Sequence, residues 1–185
     1  HQPPLPIAAV ERARASDNIR KAKVQLVLHQ PFFASIALNR KITLSDTVPT
    51  AYCTARGDIV LGVRFVAMQT VAKTCGLLVH EAMHYAMLHH IRVGHRKPRQ
   101  ANMAMDKVIN DLIMSNGMEL PDGGVLMAGA KDYAWEQLYN EDEDGGGGGS
   151  DYQPGTGNDD LSGEGINEVT EEQIQQIKQE LLQAA

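Results

Sequence analysis

Five consecutive residues, His80-Glu81-Ala82-Met83-His84, restrict this 185-residue chain more than any other stretch. They sit in an apolar setting, with Leu77-Leu78-Val79 before them and Ala86 and Leu88 after. On a helix, residues i and i+4 lie on one face about a turn apart, so both imidazoles can point at one metal ion. The pattern predicts a helix that starts at Thr70 as N-cap and runs to about Val93, where Gly94 can end it. Lys73 occupies the third helical position, so Thr70 caps without the reciprocal carboxylate of a capping box.

The chemistry follows from residue type. Neutral imidazoles suit zinc, and a site with an open fourth position is catalytic rather than structural in kind. Glu81 falls one position beyond His80, near enough to act on water at the metal without being a ligand. There it takes a proton as hydroxide attacks a carbonyl and later passes it to the leaving amine. Tyr85 could assist as a donor, but a tyrosine on a packed helix is expected in the core. Cys75 lies five residues before His80 and points away from it, so it does not close the site from that helix.

Two histidines need a third ligand. His90 has the spacing of metalloproteases that place a glycine turn three residues after the second His, but Met87 stands there and the helix is expected to continue. On a continuous helix His90 lies roughly 80° off the His80 face and about 15 Å along the axis. His89 fails for similar reasons and is expected to face solvent or cap the helix. His95, just past Gly94, is an alternative where the chain could turn back. Asp106 is the expected ligand. Asn102, Asp106 and Asn110 form one polar row at i, i+4, i+8 on a predicted helix over residues 99–115, between the apolar Met105, Ile109, Leu112 and Ile113. A polar row on a helix built for burial needs partners, and a metal answers with Asp106 as ligand and the two asparagines orienting the ligands. Asp111 points elsewhere, at most a partner to an imidazole.

The rest of the chain frames this motif. Residues 6–30 read as a helix with Ile7, Val10, Ile19, Val24, Val27 and Leu28 as its apolar positions, stopped or kinked by Pro31. A short apolar stretch, Phe32 to Leu38, follows. Residues 41–44, 51–55 and 58–62 read as strands, the last two joined as a hairpin at Arg56-Gly57. After 99–115 come Asn116-Gly117, a loop over 121–129 and a short helix over 131–139. From Glu141 the composition changes to acidic residues, five glycines at 145–149 and a Ser/Asp/Gly-rich stretch. Residues 1–140 are therefore expected to form the folded domain, 141–168 a flexible linker, and 169–185 an amphipathic helical segment, with Ile174, Ile177, Leu181 and Leu182 on one face. That segment reads as a docking element or the start of a second domain, and the opening His1 as a trimmed end.

Charge divides the same way. Residues 1–110 hold 15 Lys and Arg against 6 Asp and Glu, and residues 111–185 hold 2 against 17, giving the net −6 of the whole chain. The bases are scattered without interleaved aromatics, so a solvated acidic tail on a basic body is expected and nucleic acid is not. No apolar run is long enough to span a bilayer, so no membrane partner is expected. With no secretion signal, Cys53 and Cys75 read as reduced thiols of a cytoplasmic protein.

These residues resemble a known family: the metallopeptidase-like domain that precedes a von Willebrand factor A-like domain in many bacterial and phage proteins. The likeness covers about residues 20–140. It rests on His29-Gln-Pro31-Phe32-Phe33, on Thr50-Ala51 with the Gly57 turn, and on His80-Glu81-Ala-Met-His84 followed by His89-His90. It continues through Asn102-Met-Ala104-Met-Asp106-Lys-Val-Ile109-Asn110, Leu120-Pro121, Glu136-Gln-Leu-Tyr139 and the glycine tract. Arg56-Gly57 departs from an Asp-Gly-type turn, and Val71 stands where a proline often starts the metal helix. The resemblance implies an α+β, mainly helical zincin-like fold with a small sheet beside the metal helix. It also implies zinc held by His80, His84 and Asp106, Glu81 as general base, and a peptide or protein substrate. A von Willebrand A-like domain or an AAA+ ATPase is the implied partner. The alternative expectation is a non-catalytic adaptor whose fold zinc stabilises.

Overall fold

The computed structural model describes residues 6–143 and Gln179; the rest of the expected linker and of the amphipathic segment lies outside the described residues. The architecture is α+β and mainly helical, with one three-stranded sheet.

The first helix, α1 (Ala9–His29), buries Ala15, Ile19, Ala22 and Leu26. Of the apolar positions read from sequence, Ile19 lies in that stripe and Ile7 packs partly against the core, while Val10, Val24, Val27 and Leu28 are 50–72% exposed. Two alanines on the inner face let α1 lie close against the helices at 63–68 and 71–86, so close approach rather than side-chain bulk selects the buried face. Pro31 ends α1 and also opens a second short helix, α2 (Pro31–Ala37), as its N1 residue. The stretch expected only to be apolar is therefore helical, and it buries Phe33, Ala34, Ile36 and Ala37.

The three strands appear where expected, as β1 (Ile42–Ser45), β2 (Ala51–Cys53) and β3 (Ile59–Gly62). β2 and β3 form the antiparallel hairpin, with Tyr52 opposite Val60, while β1 pairs parallel with β3 to give the order β1-β3-β2. Gly57 takes φ +88° in the connection, where a Cβ would meet the Arg40 guanidinium at 2.6 Å and the Tyr85 ring at 2.8 Å. That guanidinium lies 4.1 Å over the Tyr85 ring, so Tyr85, 3% exposed, belongs to the core as expected.

Helix α3 (Val63–Met68), which the pattern did not suggest, leads directly from β3 into α4 (Val71–Ala86), the helix that carries His80 and His84. Thr70 caps α4 as expected, its side chain accepting from the Lys73 backbone N–H at 3.1 Å. The helix is shorter than expected. Met87 leaves helical geometry, Leu88 turns left-handed at φ 58°, and a separate one-turn helix α5 (His89–Arg92) follows. A non-glycine residue held left-handed costs about 1–2 kcal/mol, so the break is maintained by contacts around it. Gly94 then adopts φ +63°. Helix α6 (Pro98–Ser115) packs against α4, and a 3₁₀ turn (Ala130–Asp132) and α7 (Trp135–Leu138) pack against α6.

The chain between α6 and α7 crosses α4 near Gly76. A Cβ at Gly76 would lie 1.8 Å from the Glu119 carbonyl oxygen, so only glycine lets the two backbones approach this closely. That crossing, one turn before His80, seats residues 120–125 beside α4.

Candidate metal centre

Helices α4 and α6 bring together the three residues expected as ligands. His80, His84 and Asp106 each offer a ligating atom, all within 4.8 Å of one another, and they are the only such His/Cys/Asp/Glu group among the described residues. Asp106 Oδ1 lies 3.2 Å from His80 Nε2 and 3.1 Å from His84 Nε2. None of the three is more than 3% exposed, and Glu81 is fully buried beside them. The His80 and His84 rings sit 5.0 Å apart at 76°, both turned toward the carboxylate rather than stacked on each other.

The His95 alternative does not reach the site. It is exposed beyond the Gly94 turn, whereas Asp106 lies with His80 and His84 in the group that could hold a metal ion.

The hydrogen bonds show why a cation fits. Asn110 Nδ2 donates to the Val125 carbonyl at 2.6 Å, which orients the amide and turns its Oδ1 onto His80 Nδ1 at 2.7 Å. His80 Nδ1 therefore carries the proton and donates it. Its Nε2 is left facing Asp106 with a lone pair, which a carboxylate oxygen repels unless a proton or a metal lies between. Burial works against charging His80, but the Asp106 carboxylate, its hydrogen bond and nearby Glu81 outweigh it and push the ring up to about 9. Burial holds His84 below the ordinary histidine range despite the same carboxylate. For Asp106 burial is again the largest influence and raises the carboxyl, yet the His80 charge and hydrogen bonds from both rings leave it lowered. In the metal-free site, ring protons facing Asp106 thus stand where ligand lone pairs are needed, the one on His80 being the charge-bearing proton. A cation in that position would meet both Nε2 lone pairs and the carboxylate, so the three residues fit a metal ion.

Both expected supports are present. Asn102 Nδ2 donates to Asp106 Oδ2 at 3.4 Å, and Asn110 fixes His80. Asp111 does not serve an imidazole; its Oδ2 accepts the Lys131 backbone N–H at 2.9 Å and seats the 3₁₀ turn. Cys75 faces α1, its thiol directed at the Ala22 carbonyl at 3.5 Å, away from the site.

His89 and His90 depart from expectation. Both are buried because the helix breaks at Leu88 and α5 folds back. His90 hydrogen-bonds the Cys53 backbone on β2, and burial with the nearby His84 pushes it down to about 3. His89 places Nδ1 3.0 Å from His84 Nδ1, with burial holding its ring neutral, well below the usual histidine range. The consecutive His-His pair was visible in the sequence; the left-handed Leu88 that aims it was not.

A cavity of about 20 Å³ adjoins the ligands, lined by Phe65, His80, Asp106, Asn110 and the 121–125 loop. It has room for an ion or a single water, and no more. The loop is latched by a Lys73–Asp122 ion pair at 2.7 Å and by the Asn110–Val125 hydrogen bond.

The family described as a putative metallopeptidase domain matches residues 14–180. The chain belongs to that family. No curated protein and no solved structure matched it. For a metallopeptidase domain, the convergence of His80, His84 and Asp106 supplies the metal-capable group that the description requires. No helix among the described residues is long and apolar enough to cross a membrane.

Proposed function

We propose that this domain is a zinc-dependent peptidase whose ligands are His80, His84 and Asp106 and whose general base is Glu81. The observation that supports it most is the convergence of two Nε2 atoms on one buried carboxylate oxygen. Glu81 follows His80 directly on the same helix and is likewise buried. Zinc held there supplies a Lewis acid that polarises a carbonyl and lowers the pKa of water toward neutrality. Glu81 takes the proton released as water attacks and returns it to the departing amine. Asn110 and Asn102 hold His80 and Asp106 in place meanwhile. β2, an edge strand packed on α4, offers backbone groups for an extended peptide to pair with. The substrate on this reading is a peptide or protein of the cytoplasm.

The test is hydrolysis of a peptide library by the zinc-loaded chain and by Glu81→Gln. The proposal expects Glu81→Gln to keep zinc and lose turnover by about 10²–10⁴-fold, the usual weight of a general base. Equal turnover would remove Glu81 from the mechanism.

A second reading has its own support. The cavity of about 20 Å³ under the latched loop admits no peptide in this conformation. Zinc would then stabilise the fold, and the domain would act as an adaptor for a von Willebrand A-like domain or an AAA+ ATPase. Zinc binding without turnover against any library, together with a large loss of melting temperature on chelation, would favour it.

A further inference from the structure

The two ligand histidines differ in what stands behind them. His80 has an amide; His84 has another imidazole, His89, with the two Nδ1 atoms 3.0 Å apart. A contact that short between ring nitrogens needs one proton shared as N–H···N, and only two arrangements exist. If the proton sits on His89, neutral His84 must carry its own on Nε2, pointing at Asp106 Oδ1 3.1 Å away, and no metal can bind there. If it sits on His84 Nδ1, the Nε2 lone pair is free for a cation.

His89 is built into place. Left-handed Leu88 turns the chain back immediately before it. Its ring lies edge-on to Trp135 at 6.2 Å, and Trp135 is 1% exposed. Arg92 clamps the turn from three directions. Its Nε and Nη2 donate to Glu136 Oε1 and Oε2 at 2.9 and 2.6 Å, and Nη1 donates to the Met87 carbonyl at 3.0 Å. His89 Nε2 is buried without a hydrogen-bond partner among the described residues, while Nδ1 faces His84.

We propose that His89 is the positioning residue for His84, its Nδ1 accepting the His84 Nδ1–H and thereby committing the His84 Nε2 lone pair to the metal. The proposal rests on the reading that His80, His84 and Asp106 hold a metal ion. Metal-bound histidines usually donate their second N–H to a carboxylate, a carbonyl or water. An imidazole acceptor fixes the tautomer without adding negative charge behind the ligand, which leaves more Lewis acidity at the metal. Helix α7, through Trp135 and Glu136, is then part of the metal centre's support although no residue of it reaches the ion.

The experiment uses the full chain. Zinc affinity is measured by competition with a chromophoric chelator for the wild type, His89→Phe, His89→Gln and His84→Ala, alongside nitrogen NMR of the zinc-loaded wild type. His89→Phe is expected to weaken zinc about 10–100-fold at unchanged stoichiometry. His89→Gln, which restores an acceptor, recovers most of that loss. The NMR spectrum should show His84 protonated at Nδ1 and scalar coupling across the hydrogen bond to His89 Nδ1. No such coupling overturns the proposal whatever the affinities, so a misfolded variant does not decide the question. Wild-type affinity in both His89 variants also overturns it, and the three-ligand reading survives so long as His84→Ala loses zinc. If His84→Ala binds zinc as the wild type does, the three-ligand reading falls and this proposal with it.

Discussion

His80 and His84 sit one turn apart on the same helix, yet opposite sides of the molecule hold them by different chemistry. On the His80 side, Asn110 grips the ring with one end of its amide and the 121–125 loop with the other, so ligand and loop share a single side chain. On the His84 side, His89 does the gripping, and behind it stand a strained turn, a buried tryptophan and a bidentate Arg92–Glu136 pair. The first arrangement couples the candidate metal centre to the 121–125 loop that lines the adjoining cavity. The second couples it to the C-terminal packing of the domain. Disturbing one side should leave the other readable.

The largest effect is expected from Trp135→Ala. Removing a buried tryptophan should cost about 3–5 kcal/mol in thermal or urea unfolding. It should also weaken zinc, while His80 keeps its Nδ1–H signature by NMR. Loss of both histidine signatures would mean the two sides are not separable.

Titration of the metal-free protein should separate them by sign. His80 is raised to about 9, so it contributes stability that is complete below its unfolded value of 6.5 and is lost as pH rises through about 9. His84, His89 and His90 are lowered, so the unfolded chain takes up protons below 6.5 that the native one refuses, and their contribution is lost as pH falls. Each histidine changes stability by up to about 1.4 kcal/mol per pH unit within its window. Stability should therefore decline on both sides of near-neutral pH, and Asn110→Leu should blunt only the alkaline decline. Zinc displaces the His80 proton, so its apparent affinity should gain about tenfold per pH unit between 6.5 and 9.

Asn110→Leu comes next in size. It strands the Val125 carbonyl and frees the His80 ring, costing about 1–3 kcal/mol. Hydrogen exchange over residues 121–126 should accelerate in this variant and stay unchanged in His89→Phe. Acceleration in both would erase the distinction between the two sides. Leu88→Gly is the smallest. Glycine accepts the left-handed turn but gives up the leucine's packing, so stability should move by no more than about 1 kcal/mol, with zinc affinity unchanged.

What could be read from sequence follows the same division. The His80 side was legible because it is periodic. His80 and His84 at i and i+4, and Asn102, Asp106 and Asn110 at i, i+4 and i+8, are spacings that a straight helix turns directly into faces. The hairpin, the Thr70 cap and the end of α1 at Pro31 were legible for equally local reasons. The His84 side was not, because it depends on α4 failing to continue. Nothing in Met87-Leu88 announces a left-handed residue, and on an unbroken helix His89 would point away. On α1 the large apolar residues do not by themselves mark the inner face, because Ala15 and Ala22 lie on it as well. Helix α3 is too short to show a period. Apart from residues 141–143 and Gln179, the linker and amphipathic segment expected after residue 140 lie outside the described residues.

The central claim is that His80, His84 and Asp106 together hold one metal ion. Its most direct test is elemental analysis of the chain after zinc loading and desalting, for the wild type beside His84→Ala and Asp106→Ala. One equivalent in the wild type and a small fraction of one in either variant is the result expected here. A full equivalent retained by Asp106→Ala, or none in a folded wild type, would contradict it.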